Sequence, residues 1–419
     1  MALTIHHRFR RRSSIWLLVA VLLGAPPLSF AQNKTDDASP AVDADAAKAA
    51  EAAEAAEAAK AAKAAEAAKA AAIEAYIRAR TAFGNATEAY WQSITDKRGA
   101  RIAKRRKGER IVLADYVLEQ PPVYSGPPRP PGLPRPSLKR SASFPTVPEF
   151  LAAAERRYNF VPDRPKSEAE FQQVYAKVAT QAGLTREQAV RIYAFETGGN
   201  GEYDAQAGLT SNKNAKPIST AIGYNQLLAA NSVNLLAGHG DKFLAALNSA
   251  AAGLTETDRD AMNRKIEVLQ KMIAVSRSVP YSWNAHGKLA STDGGKGIHA
   301  ATLDRDIGPL LQTQKLLNSV AYAKERGFPR PLAAVELELM NFTGDVNGFD
   351  MVAMPQELRN KVPTSNLFQR SGYEANPLAR RTGTVAALFG SIDGKMDNAS
   401  QLPGAKALAG AFSDPPSSQ

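Results

Sequence analysis

The chain of 419 residues contains no cysteine, which excludes disulfide bonds and thiolate metal or redox sites. Histidine is scarce as well, and the histidines lack the spacing of metal ligands on one helix. There are five: His6, His7, His239, His286 and His299. We therefore predict neither a metal site nor any other cofactor.

Long apolar runs are also missing. The run at residues 15–23 is far shorter than the roughly 20 residues that a membrane-spanning helix needs. Four arginines precede it (Arg8, Arg10, Arg11 and Arg12), and Pro26, Pro27 and small residues up to Ala31 follow it. This pattern predicts a signal peptide over residues 1–31, with an uncleaved anchor as the alternative. We expect the cleaved protein to be periplasmic or secreted and to have no membrane span.

Acidic residues are in the minority, with 41 against 52 lysines and arginines, and the formal net charge is +11. A basic excess of this kind is typical of proteins that work among polyanions. Because export separates the protein from nucleic acid, we expect cell-wall polymers as its partners, and no DNA or RNA.

Alanine dominates residues 45–69, where a charged residue recurs at every third position. A three-residue step rotates each charge by about −60° around a helix, so the charges spiral and leave no apolar stripe for a coiled coil. We predict a solvated helix, with a disordered tract as the alternative. Residues 32–119 then form an alanine-rich helical stalk that either spaces the domain or binds an envelope protein. Its basic cluster at residues 97–110 either grips anionic polymers or is a solvated face.

Prolines crowd residues 120–148, which predicts an extended linker and a domain boundary. The signals that follow are helical. Ser167 and Thr185 each begin a capping-box pattern, and apolar residues recur at helical spacing. We predict a mainly α protein, with its main domain at residues 149–400 and a flexible tail at residues 401–419.

Glu196 is the residue best placed for chemistry. It follows the apolar residues 192–195 and precedes Gly198 and Gly199, so it should lie at a buried helix end. Burial and the negative end of the helix dipole both raise the pKa of a carboxyl group. An acid that is protonated near neutral pH is what cleavage of a glycosidic bond requires. The alternative is a helix-end acid that pairs with a cation.

Residues 218–228 add a second motif, with Ala221, Gly223, Gln226 and Leu227. Together with Glu196-Thr197 it resembles the lytic transglycosylase (SLT) domain of the lysozyme-like superfamily. That family has Glu-Ser at a helix end, then a small-x-Gly-x-x-Gln-Leu segment. Here Thr197 replaces the serine, Asn225 stands where methionine is usual, and about ten extra residues lie between the two motifs.

The third motif of the family, an Ala-Tyr-Asn-Ala-Gly stretch, is matched weakly by Asn341-Phe342-Thr343-Gly344. The family's tyrosine, which supports the acid, is absent. Asn341 or another tyrosine must then supply that hydrogen bond, and the candidates are Tyr193, Tyr203, Tyr224 and Tyr281. The resemblance covers residues 165–360 and implies a lysozyme-like helical domain.

The resemblance implies a reaction on peptidoglycan glycan strands. Glu196 would protonate the oxygen between N-acetylmuramic acid and N-acetylglucosamine, then accept the proton of the muramoyl C6 hydroxyl, which leaves a 1,6-anhydro product. The implied substrate-binding residues are Tyr203, Tyr224, Asn225, Gln226, Asn341 and Phe342. Trp283 is a further stacking candidate, although ordinary packing is the expectation for it.

Two other functions stay open. A muramidase would hydrolyse the same bond with water and a second acid, for which Asp204 and Asp345 are candidates. A catalytically inactive module that only binds the cell wall would also fit the missing tyrosine and the inserted residues.

Overall fold

The computed structural model describes residues 41–134, 143–198, 206, 216–224 and 226–412. Helices make up most of these residues, and the only β-structure among them is a few isolated bridges, such as Ile222 with Leu227. The prediction of a mainly α protein is confirmed. The signal peptide predicted at residues 1–31 lies outside the described residues.

The described part of the chain forms helices α1 to α16. Their bounds are α1 Ala41–Arg106, α2 Val147–Tyr158, α3 Glu168–Ala182, α4 Arg186–Thr197, α5 Ala229–Ala251, α6 Glu256–Arg277, α7 Trp283–Ala290, α8 Asp293–Ala300, α9 Ile307–Glu325, α10 Ala334–Thr343, α11 Asp345–Val352, α12 Gln356–Arg359, α13 Arg370–Ala375, α14 Pro377–Thr382, α15 Val385–Ser400 and α16 Pro403–Ala411. Helix α4 begins at the predicted capping box, where Thr185 and Gln188 each bind the other's backbone N–H at 3.1 and 3.0 Å.

The chain divides into two compact units, residues 1–71 and residues 72–419. In the first unit the side chains from residue 45 to residue 71 are all exposed. Lys60 pairs with Glu57 across one turn at 3.6 Å. The predicted solvated helix is confirmed over these residues, since the segment is helical and buries nothing.

The second unit begins within α1, so the domain boundary predicted at residues 120–148 is wrong. Tyr90, Trp91 and Ile94 of α1 are buried in the same apolar cluster as residues of α4 and α10. These side chains follow an alanine-rich stretch, and their burial depends on partners far along the chain. The composition of that stretch predicts a stalk for these residues as well, because it carries no sign of the distant partners.

The basic cluster of α1 also belongs to this unit. Arg101 is only 1% exposed and donates to the carbonyl oxygens of Asp115 and Asn366 at 2.9 and 3.0 Å. Arg105 pairs with Asp350 of α11 at 2.6 Å. Neither interpretation of the cluster, a polymer grip or a solvated face, describes these two side chains.

The first part of the predicted linker packs against α1. The Tyr90 hydroxyl donates to the Glu119 carbonyl oxygen at 3.1 Å. The Tyr124 ring lies edge-on to Phe83 and 4.7 Å beneath the Arg80 guanidinium. Residues 119–124 are therefore a packed extended segment and not a free spacer.

The flexible tail predicted at residues 401–419 is wrong as far as residue 411. Helix α16 buries Ala405 and Leu408 completely. Gln172 of α3 donates to the Gly404 carbonyl oxygen at 2.9 Å, which ties α16 to α3. The tail's small residues hide this packing in the sequence.

The second unit contains two apolar clusters. One gathers around α4, α10 and α15 and includes the second half of α1. The other gathers around α2, α5, α6 and α8. No helix in the described part of the chain combines the length and apolar character needed to cross a membrane.

Candidate functional site

Glu196 lies in the last turn of α4, which ends at Gly198 with a left-handed φ of 71°. Ile192, Tyr193 and Ala194 of the same helix are fully buried. Glu196 is half-buried, and the surrounding protein desolvates its carboxyl group. The Asn341 side-chain amide donates to Glu196 Oε1 at 3.0 Å. The first and third motifs therefore meet at this hydrogen bond.

Glu338 is a second acid at this site. It lies three residues before Asn341 on α10, so the two side chains share one helix face. Glu338 is fully buried, and its Oε1 has no hydrogen-bond donor among the described residues. The Asn341 amide lies 3.4 Å from its Oε2.

The carboxyl groups of Glu196 and Glu338 flank the same Asn341 amide, at 3.0 and 3.4 Å, and lie within hydrogen-bonding reach of each other. Two ionised carboxylates only accept hydrogen bonds, so this contact is a hydrogen bond only when a proton lies between them. No motif in the sequence marks Glu338. One signal was available, an acid in the otherwise apolar run from Leu337 to Met340.

Burial sets the acidity of this pair. It raises the pKa of Glu196 to about 7, against the opposing effects of hydrogen bonds from Glu338 and Asn341 and of the Lys315 charge. Burial also raises the pKa of Glu338, and the negative charge of Glu196 raises it further. The pair therefore keeps at least one proton at neutral pH.

No cation holds Glu196 in an ion pair in the part of the chain that the structure describes. Lys315 of α9 lies 4.0 Å from Asp345, whose Oδ1 also accepts from Ser319 at 2.5 Å. Nothing in this part of the chain therefore supports the alternative of a helix-end acid paired with a cation. Asp345 is bound by Ser319 and Lys315, and Asp204 lies outside the described residues.

Tyr224 is fully buried, so the implied role in substrate binding is wrong for this residue. Its ring stacks on Phe171 and Tyr193, with centroids 3.6 and 5.3 Å away. Its hydroxyl binds Glu168 of α3, and the Tyr193 hydroxyl binds the same carboxylate at 2.6 Å. Tyr224 thus fixes the second motif against α3 and α4, whereas the side-chain donor found at Glu196 is Asn341.

The other implied substrate residues are placed in part. Gln226 has a left-handed φ of 44° and donates to the Gly223 carbonyl oxygen at 2.8 Å, within a turn closed by Ile222 and Leu227. Phe342 is half-buried and lies edge-on to Phe368 at 6.2 Å. Tyr203 and Asn225 lie outside the described residues, and sugar contact by these four residues stays a prediction.

A buried histidine fixes the other side of the second motif. His299 of α8 binds the Thr220 carbonyl oxygen through Nε2 and the Ser232 hydroxyl through Nδ1, both at 2.8 Å. Burial lowers the pKa of His299 to about 4. The ring is therefore neutral at neutral pH, with its proton on Nε2 to donate to the carbonyl. No pattern in the sequence indicates this role of His299.

Two surface features lie apart from the acid pair. Trp283 is 53% exposed and Tyr281 is 64% exposed, so the expectation that Trp283 is packed is wrong. A groove of about 140 Å³ between α3, α5 and α9 is lined by residues such as Val178, Phe243, Thr313 and Leu317, without Glu196 or Glu338. Within the described ranges no cluster of three or more acidic or histidine side chains could hold a metal ion.

Comparison of the chain with protein-family models, with curated proteins and with solved structures finds no match.

Proposed function

We propose that the protein is a peptidoglycan lytic transglycosylase in which Glu196 acts first as an acid and then as a base. The observation that carries this proposal is a buried glutamic acid at the end of α4 whose pKa is raised to about 7 and whose carboxyl group is held by Asn341. An acid of this pKa is half-protonated at neutral pH, which suits a group that must both donate and accept a proton.

The arrangement of the three motifs supports the proposal. Tyr224 of the second motif stacks on Tyr193, one turn before Glu196 on α4. Asn341 of the third motif binds Glu196 itself. The third motif therefore contacts the Glu196 carboxyl group directly, and the second motif packs on the helix that carries Glu196, an arrangement consistent with the SLT resemblance.

In the proposed reaction, Glu196 gives its proton to the glycosidic oxygen as the bond from that oxygen to C1 of N-acetylmuramic acid breaks. The substrate's own N-acetyl group stabilises the positive charge at C1. The Glu196 carboxylate then takes the proton of the C6 hydroxyl while the C6 oxygen bonds to C1. Glu196 ends in its starting state, and no water is consumed.

Glu338 is not placed to serve as the second carboxylate of a hydrolytic muramidase. Hydrolytic glycosidases hold their two carboxyl groups about 5 to 9.5 Å apart, because the sugar or a water must fit between them. Glu338 is fully buried and within hydrogen-bonding reach of Glu196. It therefore lies on the same side of any bound sugar as Glu196 and cannot attack from the opposite face.

The proposal includes the location and partner expected from the sequence, an exported protein that acts on glycan strands of the cell wall. The test is mass spectrometry of purified peptidoglycan after digestion by the wild type and by Glu196→Gln. We expect 1,6-anhydromuramic ends from the wild type and a loss of at least about 100-fold in the variant. Reducing ends would instead indicate a muramidase. Equal clearing by both proteins, or by neither, would refute the catalytic role of Glu196.

A further inference from the structure

Glu338 lacks the partners that an ionised carboxylate needs. It is fully buried, and the described residues place no ion-pairing cation on it. One of its oxygens has no donor, and the other lies 3.4 Å from the Asn341 amide. An unpaired buried charge costs several kcal/mol, so the group keeps its proton instead.

A protonated Glu338 has a hydroxyl hydrogen to donate, and Glu196 is the acceptor within reach. Glu338 and Asn341 lie three residues apart on the rigid α10 helix, so both donors approach Glu196 from the same element. We propose that Glu338 is a positioning residue that stays protonated and donates to Glu196, so that two fixed donors stabilise the Glu196 carboxylate once its proton has been delivered. This inference rests on the proposed function.

The proton of Glu338 is not transferred in this scheme. The proton that reaches the glycosidic oxygen comes from Glu196, and the proton of the C6 hydroxyl returns to Glu196. Glu338 acts as a hydrogen-bond donor throughout, much as a buried neutral carboxylic acid stabilises a developing negative charge in other enzymes. It thus takes the supporting place of the tyrosine that the third motif lacks.

The helices around the acid pair carry charged side chains, and only some of these act on the pair. Lys315 of α9 faces the pair and also lies 4.0 Å from Asp345 of α11. Asp393 and Asp397 of α15 pair with Arg191 at 2.7 and 2.9 Å. Lys315 is therefore the cation that acts on the pair, and its charge keeps both carboxyl pKa values from rising further.

The first test compares Glu338→Gln with Glu338→Leu in the full chain, over a pH profile of peptidoglycan cleavage. The glutamine amide is neutral and can donate, so we expect cleavage within about 3-fold of the wild type and an unchanged alkaline limb. Leucine is similar in size but has no donor. We expect it to lower the rate at neutral pH by about 10- to 100-fold and to move the alkaline limb to higher pH, because a carboxylate without its donor forms less readily.

Two outcomes of this comparison would overturn the inference. A Glu338→Gln protein as inactive as Glu196→Gln would show that the carboxylic acid itself is required. A Glu338→Leu protein with the wild-type pH profile would show that Glu338 does not act on Glu196.

The second test needs no substrate. At about pH 9, far above the ordinary glutamic acid pKa of about 4.3, infrared difference spectra should show the C=O band of a protonated acid in the wild type and not in Glu338→Gln. Glu336→Gln is the matched control, because the buried Glu336 lies on the same helix and is already bound by Arg330 at 2.7 Å. Its replacement should leave the band unchanged.

The two tests separate the inference from the proposed function. Anhydro products from the wild type without a band that depends on Glu338 would refute the inference alone. A band that depends on Glu338, without any cleavage of peptidoglycan, would refute the proposed function and leave the protonated Glu338 standing.

Discussion

Burial of Glu196 makes the stability of the folded protein depend on pH. In the unfolded chain the Glu196 pKa is about 4.3, whereas burial raises it to about 7 in the folded state. The folded state thus holds a proton that the unfolded chain releases between these two values. The stability that this bound proton contributes is fully present below the Glu196 pKa of the unfolded chain. It is lost as the pH rises through the Glu196 pKa of the folded state.

Replacement of Glu196 by glutamine should remove this dependence. We expect the unfolding free energy of Glu196→Gln to rise relative to the wild type by up to about 3 kcal/mol between pH 5 and pH 8. Burial also raises the pKa of Asp304 and Asp350, but both occur in both proteins and cancel in the difference. Urea unfolding at several pH values measures this difference in unfolding free energy. If the difference stays the same at every pH, a buried acid at Glu196 is contradicted.

The two acids differ in how far the sequence can reveal them. Glu196 follows an apolar run and precedes glycines, so its burial at a helix end is local information. Glu338 is identified only by what lies opposite it, and that side chain belongs to a helix far away in the sequence. Asn341 was found because it falls in a recognisable motif, whereas Glu338 falls outside that motif.

The turn that carries the second motif is fixed from two sides. Tyr224 binds Glu168 of α3 and stacks on Tyr193 of α4. His299 of α8 binds the Thr220 carbonyl oxygen just before the turn. Two helices from one apolar cluster and one helix from the other therefore hold this segment, so a defect in α8 should reach the motif.

Replacement of His299 by leucine removes both of its hydrogen bonds. We expect a loss of about 2 to 4 kcal/mol in unfolding free energy at pH 7, since the Thr220 carbonyl loses its donor. The lowered pKa of about 4 means that wild-type stability from the neutral ring falls as the pH drops from about 6.5 through 4. The difference in unfolding free energy between the wild type and His299→Leu should therefore become smaller as the pH falls from about 6.5 to 4.

A control for this comparison is His286→Leu. The His286 Nε2 atom has no partner in the described structure, and its Nδ1 pairs with Asn234 at 3.0 Å. His286→Leu removes one hydrogen bond instead of two, so we expect it to lower the unfolding free energy at pH 7 by less than His299→Leu does. Equal losses in the two variants would mean that the Thr220 contact does not matter.

Helix ends with a local chemical cause were predictable, and packing among small residues was not. The start of α4 follows from the reciprocal bonds of Thr185 and Gln188, and α9 ends shortly before Gly327, which has a left-handed φ of 72°. Helix α16 consists mostly of alanine and glycine, so it carries no apolar periodicity that would predict its burial. Its position depends on contacts with α3 and α4 that only the folded chain supplies.

The second half of α1 belongs to the folded unit that contains the acid pair. The Val117 backbone exchanges two hydrogen bonds with the Asn366 side chain, at 2.9 and 2.7 Å. Arg101 binds the Asn366 carbonyl oxygen, and Trp91 packs against Tyr373. These contacts close the unit around residues more than two hundred positions away, which no local pattern in the sequence could show.

Two truncations test this organisation. A chain that begins at residue 72 loses only residues outside the second unit, so we expect its unfolding temperature to stay within about 2 °C of the full chain.

A chain that begins at residue 149, at the boundary suggested by the prolines, also loses Tyr90, Trp91 and Ile94. It exposes the apolar cluster and leaves Asn366 without its backbone partners, so we expect aggregation or no cooperative transition. Calorimetry measures both chains, with Trp91→Ala as a milder variant that should cost about 3 to 5 kcal/mol. Cooperative unfolding of the chain from residue 149 at the temperature of the full chain would show that α1 is only a stalk.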